Sequence, residues 1–240
     1  MKNKINKIVS FLKNLKDPAI AFSGGKDSLA ALIISILESK IKPKTIIYCE
    51  ITGNTDEKCT KYVYQIINEL NLKDVFYHLK INKDFFDALV KYGIPLPSNR
   101  WCMRMYKLEP TGKLVTNLKI KYVITGVTSY SKFRKSRQLI ELFRYWNFYW
   151  VNPLIEFTKE EIYKIIEEYG FKPNPCYSIY GHSGNCMFCY GHTKELILRT
   201  LQDPYWRNKI IKALENVKCR TIYCENIRKR WLELAKNSST

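Results

Sequence analysis

Residues 23–28 read Ser-Gly-Gly-Lys-Asp-Ser, between the apolar Ala19-Ile20-Ala21-Phe22 and the apolar run from Leu29 to Leu32. A strand that runs through paired glycines into a helix has a specific chemical use. Glycine lets the backbone turn sharply and brings its N–H groups close to a ligand with no Cβ in the way. The helix that follows adds a partial positive charge at its N-terminus, so the corner favours an anion such as a phosphate. Ser23 and Ser28 offer hydroxyls, and Lys26 offers a mobile cation. The loop is not a Walker A motif, which would need Gly where the chain has Ile20 and Ser or Thr where it has Asp27. A plain tight turn is the alternative, and the flanking Ser, Lys, Asp and Ser argue against it.

Cysteine supplies the second group with chemistry. Cys186-Met187-Phe188-Cys189 is a C-x-x-C flanked by Gly184 and Gly191, with Cys176 ten residues upstream in a Pro-rich turn and Cys102 in Arg100-Trp101-Cys102-Met103-Arg104. Two thiolates at that spacing can reach one metal centre, and four suit either tetrahedral zinc or a 4Fe–4S cluster. A redox C-x-x-C is expected at a helix start after a first strand, which is not where this one lies. His182 and His192 flank the segment and read as surface or supporting histidines before they read as ligands. Cys49 and Cys59 fall in a core strand and on an apolar helix face, so both read as small buried hydrophobes. Cys219 and Cys224 stay open: either could be a resolving or persulfide-carrying thiol.

The elements that must position these residues alternate. Ile5, Ile8, Val9, Leu12 and Leu15 give a first amphipathic helix, stopped by Asp17-Pro18. Strands are expected at 19–22, 45–49, 75–79 and 121–125, with helices at 28–37, across 55–70, and from Thr158 to Gly170. Thr158 and Glu161 form a capping box at the start of the last of these. The alternation implies an α/β fold, a mostly parallel twisted sheet with helices on both faces. From residue 193 the pattern turns helical and basic, with 11 Lys/Arg against 5 Asp/Glu, divided at Pro204. The domain reading is therefore 1–192 for the nucleotide-binding and Cys-rich part and 193–240 for a small C-terminal helical extension. The aromatics Phe143, Tyr145, Trp146, Phe148, Tyr149 and Trp150 read as a strand or hairpin packed on both faces, ahead of a base-stacking surface.

The chain has 240 residues, 46% hydrophobic and 14% aromatic, which supports a sizeable core and argues against disorder. No apolar run approaches bilayer length and the N-terminus lacks a secretory apolar region, so a soluble cytoplasmic protein with reduced cysteines and no membrane partner is expected. The formal charge of +18 suits a polyanionic partner or reflects a Lys-rich proteome. Lys132, Arg134, Lys135 and Arg137, together with Arg228-Lys229-Arg230, are where nucleic-acid phosphates would dock.

Ser23-Gly24-Gly25-Lys26-Asp27-Ser28 resembles the PP-loop of the ATP pyrophosphatases, whose fold is adenine nucleotide alpha hydrolase-like and Rossmann-like. Several further segments resemble its phosphoadenosine-phosphosulfate-reductase-like branch: Thr52-Gly53, Ile124-Thr125-Gly126-Val127 with Ser136-x-Arg137, Asn152-Pro153-Leu154 through Thr158, and Pro173-Asn174-Pro175-Cys176-Tyr177. The resemblance covers roughly residues 15–192. It implies that the loop holds the β,γ-pyrophosphate of ATP with Mg²⁺, with Lys26 and Asp27 as catalytic groups. Ser23, Gly24, Gly25, Ser28, Thr52, Gly53, Gly126, Arg134 and Arg137 would line the nucleotide. One remote Cys followed by Cys-x9-Cys-x2-Cys resembles the cluster-bearing sulfur-transfer members, which implies a 4Fe–4S cluster on Cys102, Cys176, Cys186 and Cys189, with Zn²⁺ as the alternative. The function so implied is ATP-dependent adenylation followed by sulfur transfer from an unidentified donor, with tRNA favoured as substrate and DNA phosphorothioation a related outcome. A sulfonucleotide reductase is the first alternative, although its Glu-Cys-Gly-x-His segment is missing. A non-catalytic nucleotide- or nucleic-acid-binding module with structural zinc is the second. The resemblance leaves room for a homodimer.

Overall fold

Ala19-Ile20-Ala21 carries side chains small or apolar enough to be covered on both sides, and it becomes an interior strand. The computed structural model describes residues 1–129 and 138–237. Helix α1 (Lys2–Leu12) leads through Asp17, at a φ of +46°, into β1 (Ala19–Ala21). Then come α2 (Lys26–Ile33), which passes into a π-helical turn at Ile34–Glu38, β2 (Thr45–Glu50), α3 (Glu57–Glu69), β3 (Phe76–Lys80) and α4 (Phe85–Tyr92). The short α5 (Trp101–Met103) runs through a second π-helical turn, Arg104–Leu108, into α6 (Glu109–Asn117). Strand β4 (Tyr122–Ile124), the hairpin β5 (Ile140–Phe143) and β6 (Phe148–Val151), and α7 (Lys159–Glu168) follow. The chain ends with α8 (Cys176–Tyr180), α9 (Lys194–Leu201), α10 (Pro204–Asn216) and α11 (Ile222–Asn237).

The six strands are ordered β3-β2-β1-β4-β6-β5. Strand β1 pairs in parallel with β2 and β4, and β4 with β6; only the β5–β6 hairpin is antiparallel among the pairings described. Register lines up Ile20 with Ile46 and with Ile124, and Ile124 with Val151, all four fully buried. That row packs under α1, α2, α3 and α7 through residues such as Leu12, Leu29, Val63 and Ile165. The alternate residues Ala19, Ile47, Val123 and Phe148 turn to the other face, onto Val115 of α6. Period-two alternation thus splits each strand between two helical layers. The aromatic run at 143–150 is a hairpin, as its packing reading anticipated, with Asn147 at φ +51° in the turn.

Contacts divide the chain into two units. One is Met1–Cys49, Lys61–Leu79 and Pro110–Asn174, and holds most of the sheet; the other is Glu50–Thr60, Lys80–Glu109 and Pro175–Thr240. The second has its own apolar core, in which Phe85, Tyr106, Tyr180 and Phe188 pack with Trp206 of α10 and Trp231 of α11. The basic C-terminal helices therefore share a core with the cysteine segment. Among the described residues, no helix is long and apolar enough to cross a membrane.

Candidate nucleotide loop and cysteine centre

In the first unit, β1 connects to β2 on one side of the sheet while its other neighbour is β4, so strand order reverses between β1 and β4. Open α/β sheets bind ligands beyond the carboxyl ends of strands at such a switch point. The Ser-Gly-Gly loop leaves β1 there, and Gly126 leaves β4. Gly24 has a φ of +75°, and Gly25 is the extended N-cap of α2. A Cβ on Gly126 would stand 2.5 Å from the Asp27 carbonyl carbon and 2.6 Å from its oxygen, so only glycine lets β4 meet the first turn of α2.

Short polar contacts stiffen the loop. Ser28 Oγ donates to the Gly25 carbonyl at 2.9 Å and accepts from Ser23 N at 3.2 Å, while the Ser23 and Ser28 hydroxyls meet at 3.1 Å. The Ser28 proton is thus spent on its own loop, which makes Ser28 a brace. Lys26 is 8% exposed, and its Nζ sits 2.7 Å from Asp27 Oδ1 and 5.9 Å from the Tyr163 ring centre. Asn174, 2% exposed, donates its Nδ2 to the Gly24 carbonyl at 3.0 Å. Sequence reasoning noted Asn174 only as part of a Pro-Asn-Pro run and gave it no role in the loop. Arg134 and Arg137, with Lys132 and Lys135, lie outside the described residues.

Thr52 and Gly53 belong to the second unit. Thr52 Oγ1 donates to the Ile81 carbonyl at 2.6 Å, and Phe85 N donates to the Thr52 carbonyl at 2.8 Å. Gly53, at φ +82°, leaves room that the Asp84 carboxylate fills. Asp84 in turn caps α4 by accepting from Phe86 N at 2.7 Å.

The C-x-x-C turn in that unit is clamped by a residue that its spacing does not reveal. Asn54, 1% exposed, accepts from Phe188 N through its side-chain oxygen at 2.8 Å and donates its Nδ2 to the Phe188 carbonyl at 3.0 Å. Its own carbonyl accepts from Met187 N at 2.9 Å. The clamp extends to Thr55 Oγ1, which donates to Asn185 Oδ1 at 3.0 Å, and to Asp56 N, which donates to the Gly184 carbonyl at 2.8 Å. The only signal in the sequence is a polar Asn-Thr-Asp run, which reads equally well as a helix start.

Cys102, Cys186 and Cys189 share one neighbourhood. Burial pushes the Cys189 thiol up to about 12, with the charges of Cys186 and Cys102 adding to the effect and Arg100 opposing it. Burial likewise raises Cys102 to about 11, with Cys186 adding and Lys107 and Arg100 opposing. Cys176 keeps different company: burial, then Asp56 and Cys59, push it up to about 12. A Cβ on Gly184 (φ +75°) would stand 2.7 Å from the Cys176 Sγ. The sulfur donor set suits zinc or an iron–sulfur cluster chemically. As they stand, no group of three or more His, Cys, Asp or Glu among the described residues is gathered closely enough to hold a metal ion.

His182 is a support. His182 Nδ1 accepts from Gly184 N at 3.1 Å, and its Nε2 meets Thr200 Oγ1 at 3.2 Å. Thr200 donates its own proton to the Leu196 carbonyl, so the His182 proton sits on Nε2 in a neutral ring. Burial holds His182 down at about 4 and His192, its ring tilted against it with centres 4.6 Å apart, down at about 3. A buried Asp56 accepts from Trp206 Nε1 at 2.8 Å and from the Tyr180 hydroxyl at 3.0 Å, tying α8 and α10 to the clamp. Cys59 is fully buried and Cys49 lies 3.4 Å from Thr111 Oγ1. The expectation of reduced thiols fails at one pair: Cys219 and Cys224 form a disulfide. The capped turn at Thr221 brings their Cα atoms to 5.4 Å, within bonding reach.

The phosphoadenosine phosphosulfate reductase domain family is matched by residues 17–191. The chain belongs to that family. Two curated relatives, the uncharacterized proteins MJ0066 and MJ0973 of Methanocaldococcus jannaschii, are 31% and 32% identical over 135 and 139 residues. Those matches take in 53% and 57% of this chain but only 27% and 32% of the relatives, so the chain spans about a third or less of their length. A phosphoadenylyl-sulfate reductase of Candida auris, in a phosphate complex, superposes with a TM-score of 0.54 at 18% identity over 72% of this chain and 83% of that one. The U34-tRNA thiolase NcsA of Methanococcus maripaludis, with its [4Fe-4S] cluster, gives 0.53 at 14% identity over 99% and 78%. FMN adenylyltransferase of Candida glabrata, with FMN and an ATP analogue, gives 0.56 at 16% over 75% and 61%. At these identities the superpositions establish the α/β fold that the family shares.

Proposed function

We propose that the chain is a PP-loop enzyme that adenylates a carbonyl oxygen of its substrate with ATP, releases pyrophosphate, and lets sulfur replace the activated oxygen. The observation that carries this reading is the braced Ser-Gly-Gly corner at the switch point, closed by Gly126 against the first turn of α2. First-turn amides and the Lys26 ammonium hold the β- and γ-phosphates, leaving the α-phosphorus open. The substrate oxygen attacks that phosphorus, the bond to the bridging oxygen breaks, and pyrophosphate departs with its charge stabilised at the loop. Asp27 pairs with Lys26 at 2.7 Å and would be the carboxylate that meets Mg²⁺, whose charge would neutralise the phosphates. A sulfur nucleophile then adds to the activated carbon, and AMP leaves with the oxygen.

The proposed substrate is a base in tRNA. A net charge of +18 and the fold shared with a tRNA thiolase support it. Cys102, Cys186 and Cys189 are the residues that would hold an iron–sulfur cluster, while Cys176, the fourth cysteine of the sequence pattern, lies beside Asp56 and Cys59. Such a group would supply a sulfur-handling metal site, and this chain's part is to hold the half-buried thiols with Arg100 near Cys102 and Cys189 and Lys107 near Cys102. Incubation with ATP and bulk tRNA should yield AMP and pyrophosphate, and Lys26→Ala should abolish both; ADP as product would overturn the reading. Anaerobic purification with iron, zinc and sulfide analysis separates cluster from zinc. The family match also favours a second reading, reduction of a sulfonucleotide, for which sulfite release from adenylyl sulfate or its 3′-phosphorylated form is the test.

A further inference from the structure

We propose that Cys219 and Cys224 form a thiol–disulfide exchange site whose substrate is an external dithiol and whose point of attack is the Cys219 sulfur. The two sulfurs are in unlike places. Cys224 is 4% exposed and lies in the first turn of the 16-residue α11, where its N–H donates to the capping Thr221 Oγ1 at 3.2 Å. Cys219 is only partly buried and stands between the exposed Lys218 and Arg220. Beside them Ile222 and Tyr223 are 75% and 54% exposed, an apolar lip next to the accessible sulfur with cationic flanks. An incoming thiolate therefore meets Cys219 first, and the cations draw it in.

The exchange balances in two steps. The external thiolate bonds to the Cys219 sulfur, the S–S bond breaks, and its electron pair goes to Cys224 as thiolate in the first turn of α11. The second external thiolate attacks the mixed disulfide and expels the Cys219 thiolate. Two electrons and two protons pass to the pair, and the dithiol departs as a disulfide.

The pair shares a unit and an apolar core with the cysteine centre. Trp231 of α11 packs on Phe188 of the C-x-x-C with ring centres 4.8 Å apart. The Lys218 carbonyl is the nearest atom to the Cα face of Gly93, whose own carbonyl accepts from Trp101 Nε1 at 3.0 Å, one residue before Cys102.

The test uses the full chain without ATP or nucleic acid, so its outcome is independent of the adenylation reading. The protein is equilibrated in mixtures of reduced and oxidised dithiothreitol, quenched in acid, alkylated, and read by peptide mass spectrometry. Cys219 and Cys224 should acquire label together in one two-electron transition. With oxidised glutathione as probe, Cys224→Ser, which leaves Cys219, should form the mixed disulfide at least roughly tenfold faster than Cys219→Ser, which leaves Cys224. A pair that resists full reduction, a pair that stays as thiols in the oxidising mixtures, or equal rates in the two variants would overturn the proposal.

Discussion

The nucleotide loop and the cysteine centre are built in opposite ways. The loop is braced mainly from within six consecutive residues, by Ser23, Gly25 and Ser28, with Gly126 and Asn174 as outer supports. The cysteine centre depends on three distant stretches: residues 54–56 clamp 184–188, and the short α5 carries Cys102. A phosphate site of backbone amides needs only a sharp turn and a helix start, which adjacent residues supply. A thiol centre needs side chains from different elements, so its geometry is held by buried hydrogen bonds between segments.

Breaking this contrast starts with Gly126→Ala. The added Cβ presses on the first turn of α2, and overpacking at about 1–3 kcal/mol is concentrated on the loop. ATP-dependent pyrophosphate release should fall by roughly 10- to 100-fold, while circular dichroism shows a folded chain. Asn54→Ala should act on the other region: it strands the Phe188 N–H and carbonyl in the core, at about 3 kcal/mol, seen as a lower unfolding midpoint and faster alkylation of Cys186 and Cys189. Acid should follow the same direction with a smaller effect. Because burial lowers His182 to about 4 in the folded chain, its contribution is complete above the unfolded value near 6.5. It is lost as pH falls from there toward 4, up to about 2 kcal/mol in urea titrations, and His182→Gln should flatten that slope. Asn174→Ala should be the mildest. Losing one bond to the Gly24 carbonyl costs about 1 kcal/mol and should raise the KM for ATP about fivefold with kcat nearly unchanged.

Much of the molecule was legible because its signals are local. The Thr158–Glu161 capping box forms with both of its hydrogen bonds, Gly170 closes α7 at φ +74°, and Pro204 starts α10. The apolar row at Ile20, Ile46 and Ile124 is the parallel core that strand alternation implied. Asn54 escaped notice because an Asn beside Gly53 is ordinary turn chemistry until Phe188, 134 residues away, is laid against it. Ser28 was legible as a hydroxyl but not as a brace, since which acceptor takes its proton depends on the path of the loop.

By itself, the order of residue types determined the alternating sheet, the anion-favouring corner and the C-x-x-C pair of thiols, because each rests on interactions spanning a few residues or one helical turn. Tertiary structure decided which cysteines keep company. It gathers Cys102 with Cys186 and Cys189, leaves Cys176 beside Asp56 and Cys59, and joins Cys219 to Cys224. A thiol's partners and charge state follow from burial and from neighbours brought by other segments, and no spacing rule along the chain encodes those distances.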